Sequence, residues 1–171
     1  VDTFLQLTPA ISIILNIDAD HLDYFKNLDN IKKSFRKFAG QTSRLLVLNG
    51  DDQNTLDAVD GVSLDKLLYG FGEHNDYRAA NLTVSHGAVQ HFDVIYQGET
   101  LTQVTLNVPG KHNVLNALAA FAVAHHLGDS PALIAENLEK FTGVHRRFEI
   151  LGKPCGITVA DDFAHHPTEL T

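Results

Sequence analysis

Apolar runs early in the chain predict a set of buried strands. They cover residues 11–17, 45–48 and 67–71, and the first run is rich in β-branched side chains. A short, nearly continuous apolar run is typical of a strand covered on both faces in a parallel sheet. We therefore expect a mostly parallel sheet in which residues 11–17 are buried on both faces.

Helical periodicity separates these runs. Residues 31–39 repeat apolar positions at helical spacing, Asp29 or Asn30 can cap that helix, and Gly40 is predicted to end it. The polar residues 51–53 follow the second strand and predict the start of a short helix. Strands that alternate with helices indicate an α/β fold with helices flanking the sheet.

Alternation of apolar and polar residues dominates from residue 77 to residue 108. This pattern is typical of strands with one covered face, and turns are suggested at residues 85–87 and 97–98. The segment therefore predicts a small antiparallel meander attached to the parallel sheet.

A turn at Gly110 then leads into an alanine-rich helix that runs to about Leu127. His112 and Asn116 are four residues apart, so they share one face at the N-terminal end of this helix. Unpaired N–H groups and the helix dipole favour an anion or a polar ring there, which predicts a nucleotide-facing surface. The alternative is that His112 or Asn113 only caps the helix while Asn116 points to water.

Another helix is predicted after this one, with Ser130 as its cap and Pro131 in its first turn. Its buried face is expected to contain Ile134, Leu138 and Phe141.

The end of the chain predicts the opening of a second α/β unit, with a boundary after residue 142. Strands are expected over residues 144–150 and 157–159. The second strand leads into an acidic His-His-Pro loop over residues 161–169.

An acidic segment follows the first predicted strand. Asp18, Asp20, Asp23 and His21 come at the carboxyl end of that strand, where open α/β sheets bind ligands. Carboxylates and an imidazole there predict a metal or phosphate site. The alternative is a solvated loop in which the aspartates only cap the next element of the chain.

Composition is that of a folded protein without a membrane segment. The 171 residues are 44% hydrophobic, enough for one core or for one domain with part of another. No leader is recognisable, and no apolar run approaches the roughly 20 residues that a membrane span needs. The single cysteine, Cys155, excludes an internal disulfide and is predicted to be a packing residue. We expect a soluble cytoplasmic protein, and an opening on Val1 suggests part of a longer polypeptide.

Charge argues against a nucleic-acid partner, because the net charge is -8 and no basic run occurs. A phosphate-bearing ligand must therefore be held locally, by a metal ion, helix N-termini or single arginines. The sequence leaves the oligomeric state open.

Three separated motifs, in this order and spacing, resemble those of the Mur ligases, the ATP-dependent amide-bond formers of peptidoglycan precursor synthesis. They are NIDADHLD at residues 16–23, GKHNVLNA at residues 110–117, and RRFE at residues 146–149 followed by DDFAHHP. The resemblance implies that residues 1–142 are most of a P-loop-type central ATP-binding domain. It implies that residues 143–171 begin a Rossmann-like C-terminal domain.

The resemblance also implies roles for the polar residues of the first two motifs. His21 would help to hold a magnesium ion. His112 and Asn116 would contact the adenine end of ATP, and Asn113 would be a further nucleotide-binding residue.

In the third motif, Arg147 would approach the phosphates as a catalytic and nucleotide-binding residue. Asp162 would contact the ribose or nucleotide. His165 would be a catalytic residue that faces the amino acid and the muramoyl group.

Within the family, the motifs are most similar to those of ligases that join L-alanine to UDP-N-acetylmuramate through an acyl phosphate, in the bacterial cytoplasm. The alternatives are a ligase that recycles murein peptides and a non-catalytic nucleotide-binding module. A metal hydrolase that uses His21 with the neighbouring aspartates is a further alternative, although the spacing matches no helix-borne ligand pair.

A phosphate loop of the Gly-x-x-Gly-Lys-Thr type is missing from these residues. Residues 1–171 alone are therefore expected not to catalyse ligation, since no backbone cradle for the β- and γ-phosphates is encoded here. An assay of ADP formation by the purified chain checks this, and detectable ADP would contradict it.

Overall fold

A six-stranded sheet with helices packed on it forms most of the protein, in a computed structural model that describes residues 2–85, 88–147, 149–152 and 154–164. Its strands, in spatial and chain order, are β1 (Ile11–Ile14), β2 (Leu45–Asn49), β3 (Asp65–Gly70), β4 (Tyr77–Val84), β5 (Gln90–Tyr96) and β6 (Glu99–Leu106). Strands β1 to β4 pair in parallel, and β4 to β6 pair antiparallel. The predicted parallel sheet with an attached meander is thus confirmed.

The helices are α1 (Leu22–Phe25), α2 (Leu28–Gln41), α3 (Gln53–Val59), α4 (Lys111–His126) and α5 (Pro131–Glu139). Ser130 caps α5 as predicted, with Pro131 in the first turn. The predicted cap of α2 is wrong, because Asn27 accepts the hydrogen bond from the Asn30 N–H. Gly40 lies inside α2 and does not end it.

Two apolar clusters cover the two faces of the sheet. In β2, Leu45 and Val47 belong to the cluster that includes α4, and Leu46 and Leu48 belong to the cluster that includes α2 and α3. All five residues of β2 are buried. This double burial explains why the strand is apolar at successive positions.

The first strand differs from its prediction. Ile13 and Leu15 are each 41% exposed, so residues 11–17 are not buried on both faces. In the described part of the chain, β1 is the outermost strand and pairs only with β2. An apolar run therefore gave the strand correctly but not its position in the sheet.

A separate antiparallel pair, β7 (Glu149–Gly152) and β8 (Val159–Asp161), forms near the end of the chain. The predicted strands are shifted toward the C-terminus by a few residues. Cys155 is exposed, so its predicted packing role is wrong, and Phe141 is also exposed. The domain division at residue 142 stays a prediction. Within the described ranges, no helix is long and apolar enough to cross a membrane.

Candidate functional site

Helix α4 begins directly after a glycine. Gly110 is the N-cap residue with φ of 96°, and no described side chain caps the helix. Asn113 Nδ2 donates instead to the Pro109 carbonyl at 2.6 Å, so the interpretation of His112 or Asn113 as a simple cap is wrong. The first turn of this 16-residue helix therefore has no side-chain cap, and Lys111 and His112 at its start are exposed.

Polar side chains surround this turn. His112 and Asn116 are both exposed, and a Cβ atom on Gly110 would lie only 2.5 Å from His112 Cε1. The His112 ring thus lies against the glycine turn, where the φ of 96° favours glycine. Asn116 Nδ2 reaches Asn113 Oδ1 at 3.5 Å, at the limit of a hydrogen bond. The structure therefore brings together the three polar residues predicted for this helix start.

A buried glutamine that sequence reasoning missed supports the same turn. Gln90 Nε2 donates to the Val108 carbonyl at 2.8 Å and to the Gly110 carbonyl at 3.1 Å. Gln90 is 2% exposed and occupies a position that continues the apolar alternation of β5 with Phe92. A polar residue at an inward-facing strand position is the signal that could have identified it.

The acidic loop after β1 is organised by its own side chains. Asp18 Oδ1 accepts from the Ala19 N–H at 2.7 Å, and Asp20 Oδ1 accepts from the His21 N–H at 2.6 Å. His21 adopts a left-handed backbone with φ of 51°. Its Nε2 lies 3.7 Å from Asp20 Oδ2, and the two side chains are 61% and 50% exposed.

The acidic loop can supply one protein ligand to a magnesium ion, but it does not supply a complete set of ligands. Among the described residues, no three His, Cys, Asp or Glu side chains are grouped to hold a metal ion. Magnesium commonly takes only one or two protein ligands and completes its shell with water and phosphate oxygens, so an exposed His21 suits that role. The same finding gives no support to a metal hydrolase built on His21 and its neighbouring aspartates.

The loop after β2 joins the ends of neighbouring strands. Asp51 accepts hydrogen bonds from the Phe71 N–H at 2.5 Å and from the Gly72 N–H at 3.1 Å. Asn75 Nδ2 also donates to Asp51, at 2.9 Å. Asp51 therefore ties the carboxyl end of β2 to the loop that follows β3.

Comparison with known proteins assigns the family. The model of the Mur ligase middle domain matches residues 2–124. The chain belongs to the Mur ligase family. The Mur ligase relatives include a UDP-N-acetylmuramate--L-alanine ligase of Caldanaerobacter subterraneus subsp. tengcongensis, which is 44% identical over 99% of this chain. The match spans 37% of that relative's length.

Solved Mur ligase structures share the fold. MurC of Thermotoga maritima, a UDP-N-acetylmuramate-alanine ligase, superposes with a TM-score of 0.82 at 35% identity, over 99% of this chain and 38% of that one. The UDP-N-acetylmuramate:L-alanyl-gamma-D-glutamyl-meso-diaminopimelate ligase of Neisseria meningitides gives a TM-score of 0.72 at 29% identity, over 84% of this chain and 43% of that one. The Mur ligase fold is thus common to both kinds of ligase.

The third Mur ligase motif lies on the small β7–β8 unit. Arg147 is exposed, and its N–H donates to the Val144 carbonyl at 3.1 Å. Asp162 is also exposed and accepts from the Ala164 N–H at 2.7 Å. The two segments are neighbours, because the Phe163 N–H donates to the Arg146 carbonyl at 2.9 Å. His165 lies outside the described residues.

Proposed function

We propose that the protein supplies the ATP-binding middle part of a ligase that joins L-alanine to UDP-N-acetylmuramate in peptidoglycan precursor synthesis, forming ADP. The observation that carries the proposal is 44% identity over 99% of the chain to a relative of that name. Because the chain spans 37% of that relative's length, the activity belongs to a longer parent enzyme. We place residues 1–142 in its central domain, residues 143–171 at the start of its C-terminal domain, and the enzyme in the bacterial cytoplasm.

The start of α4 is the proposed site for the adenine end of ATP. Exposed His112 and Asn116 share a face, and Asn113 lies between them with its amide anchored on Pro109. An imidazole can stack on a purine and an amide can both donate to and accept from its edge. The uncapped first turn of the helix adds a partial positive charge for anionic groups nearby.

His21 is the proposed protein ligand for magnesium. His21 would hold the ion, and magnesium, when bound, would neutralise phosphate charge. In the proposed reaction ATP transfers its γ-phosphoryl group to the muramoyl carboxylate, giving an acyl phosphate and ADP, and the L-alanine amine then attacks the acyl carbon and displaces inorganic phosphate. This chain contributes an exposed imidazole on a loop whose backbone is fixed by Asp18 and Asp20. The net charge of -8 makes such local neutralisation necessary for two anionic reactants.

Arg147, Asp162 and His165 are the proposed contributions of the C-terminal unit. Arg147 would stabilise negative charge on the phosphates, and Asp162 would hold the ribose or nucleotide through its carboxylate. His165 would face the amino acid and the muramoyl group. Both side chains are exposed, which places Arg147 and Asp162 on the surface of this unit.

A substitution on α4 tests the adenine site. In the parent enzyme, His112→Ala is expected to raise the KM for ATP about fivefold, since a lost contact to a polar ring is worth about 1 kcal/mol. His126→Ala is the control, because His126 is an exposed histidine at the other end of the same helix. Steady-state kinetics with varied ATP measure both. Equal KM values in the two variants would contradict the proposed site.

The substrate is tested by phosphate release from the parent enzyme with ATP, magnesium and UDP-N-acetylmuramate. Activity with L-alanine alone is the expected result. Activity only with the L-alanyl-γ-D-glutamyl-diaminopimelate tripeptide would favour the recycling ligase, which the 29% identical Neisseria structure keeps as the second candidate. No phosphate release with either substrate would favour a non-catalytic nucleotide-binding module.

A further inference from the structure

Two side chains at the start of α3 hold the backbone immediately before the acidic loop. Asp52 Oδ2 accepts a hydrogen bond from the Ile17 N–H at 2.9 Å. Asn54 Nδ2 donates to the Ile17 carbonyl at 2.9 Å. Both backbone polar groups of Ile17 are therefore fixed by residues that are distant in sequence.

The residues that fix Ile17 are connected to the protein core. Asp52 Oδ2 also accepts from the Thr55 N–H at 3.1 Å and from Thr55 Oγ1 at 2.5 Å, so it caps α3 at the same time. Ile17 is 2% exposed and packs in the cluster that contains Ala58 and Val59 of α3. Helix α3 and Ile17, the residue immediately before the acidic loop, are thus packed as one unit.

The segment from Ile17 to His21 is too short and too locally bonded to reorient freely. The Asp20 N–H donates to the Asp18 carbonyl at 2.9 Å, and the N–H of His21, which has a left-handed backbone conformation, donates to Asp20 Oδ1 at 2.6 Å. A change in direction at Ile17 is therefore carried through to the His21 ring. The placement of that ring depends on the contacts that fix Ile17.

We propose that Asp52 and Asn54 are positioning residues for the metal-binding loop, and that their bonds to Ile17 set where His21 meets the ion. The proposal rests on the proposed function, in which His21 holds magnesium. Residues that orient a metal ligand commonly change metal affinity or activity by 10- to 100-fold when they are removed. Neither residue touches the metal or ATP in this scheme, so their effect passes through the backbone of Ile17.

Asn54→Ala in the parent enzyme is the main test, since it removes the bond to the Ile17 carbonyl and keeps the Asp52 cap. Asp52→Ser is the second variant, because serine can still cap Thr55 but is too short to reach Ile17. Gln53→Ala is the matched control, because Gln53 opens the same helix and its amide donates to Asp57 at 2.7 Å, on the helix itself.

Two readouts separate positioning from general instability. In the ligand-free parent, amide hydrogen exchange of a peptide covering residues 15–23 is expected to accelerate about tenfold in Asn54→Ala and Asp52→Ser, and to stay unchanged in Gln53→Ala. The magnesium concentration for half-maximal activity is expected to rise about tenfold, with kcat at saturating magnesium within about twofold of the parent.

Unchanged exchange would overturn the proposal, as would faster exchange with an unchanged magnesium requirement. An equal rise of the magnesium requirement in the Gln53→Ala control would also overturn it, because the effect would then belong to α3 as a whole. An unsubstituted parent that lacks ligase activity would contradict the proposed function instead. Hydrogen exchange with and without magnesium would then decide whether the loop is positioned for the ion.

Discussion

Gly50→Ala is expected to lower the free energy of unfolding by about 2 kcal/mol, whereas Gly40→Ala is expected to raise it by about 1 kcal/mol. The two glycines have opposite surroundings. A Cβ atom on Gly50 would lie 2.1 Å from Asn75 Oδ1, while a Cβ atom on Gly40 would meet nothing within 4 Å. Gly40 lies inside α2, where alanine is the better helix former.

Asn75 cannot move away from Gly50 without loss. Its Nδ2 donates to Asp51 at 2.9 Å and to the Gly72 carbonyl at 3.0 Å, and the residue is buried. Relieving the contact therefore breaks bonds that join the ends of β2 and β3, or shifts the Gly50 backbone from its bond to the Tyr69 carbonyl. Overpacking against such a fixed neighbour typically costs about 1–3 kcal/mol.

Urea unfolding with equal m-values measures both substitutions. An Asn75→Ala background supplies the cross-check, because it removes the atom that the new methyl group meets. Gly50→Ala is expected to cost at least about 1 kcal/mol less in that background. If the free energy of unfolding of Gly50→Ala were within about 0.5 kcal/mol of that of the unsubstituted protein, the prediction would be wrong, because the loop would then rearrange freely.

The sequence predicted those parts of the fold in which local pattern and tertiary position agree. Strand β2 is covered on both faces, and its apolar run shows that directly. Strand β1 has a similar run, yet Ile13 and Leu15 are exposed. The side chains of a strand show how much apolar surface it can bury. Whether the strand lies at the edge of the sheet depends on which strands pair, and the local sequence pattern does not contain that information.

Helix caps show the same limit at shorter range. Asn27, Asp29 and Asn30 can all cap by residue type, and the choice of Asn27 follows from where the chain turns after α1. Helix α4 was better determined because Gly110 fixes its start. A residue with one conformational role, such as Gly110, predicts a helix boundary more sharply than residues with several roles, such as asparagine and aspartate.

Within the candidate site, the sequence pointed only to the residues that we propose to face the ligand. His112, Asn116 and His21 lie in motifs and are exposed, so residue type and spacing make them candidates. Gln90 and Asp52 support the same segments by bonds that cross large sequence separations. Their partners are backbone atoms, which leave no mark on the sequence.

Stability is expected to fall steeply above pH 10, because two buried tyrosines must stay protonated in the folded state. Burial raises the pKa of Tyr77 from the usual 10.0 to about 12, with smaller contributions from Tyr96 and Asp76. Burial, and then the negative charge of Asp52, also raise the pKa of Tyr69. A raised folded-state pKa gives stability that is complete below pH 10 and is lost as pH rises toward the folded pKa.

Each such tyrosine can remove about 1.4 kcal/mol per pH unit between the unfolded and folded pKa values. Tyr77→Phe and Tyr69→Phe are therefore expected to flatten the decline between pH 10 and 12, measured by urea unfolding across that range. Tyr24→Phe is the comparison variant, since Tyr24 is 51% exposed. The hydrogen bond that its hydroxyl donates to Asp2 raises the pKa of Tyr24, but solvent screens this surface interaction, so Tyr24→Phe is expected to change the decline least. A decline that is equally steep in all three variants would assign the alkaline loss to other groups.

At neutral pH the same two substitutions are expected to differ in sign. Tyr77 shares a hydrogen bond of 2.7 Å with His125 Nδ1 at the end of α4, so Tyr77→Phe is expected to cost about 1 kcal/mol. The Tyr69 hydroxyl is buried and has no hydrogen-bond partner among the described residues, so Tyr69→Phe removes a desolvated polar group and is expected to be neutral or stabilising. A marked loss of stability in Tyr69→Phe would mean that this hydroxyl is paired in solution.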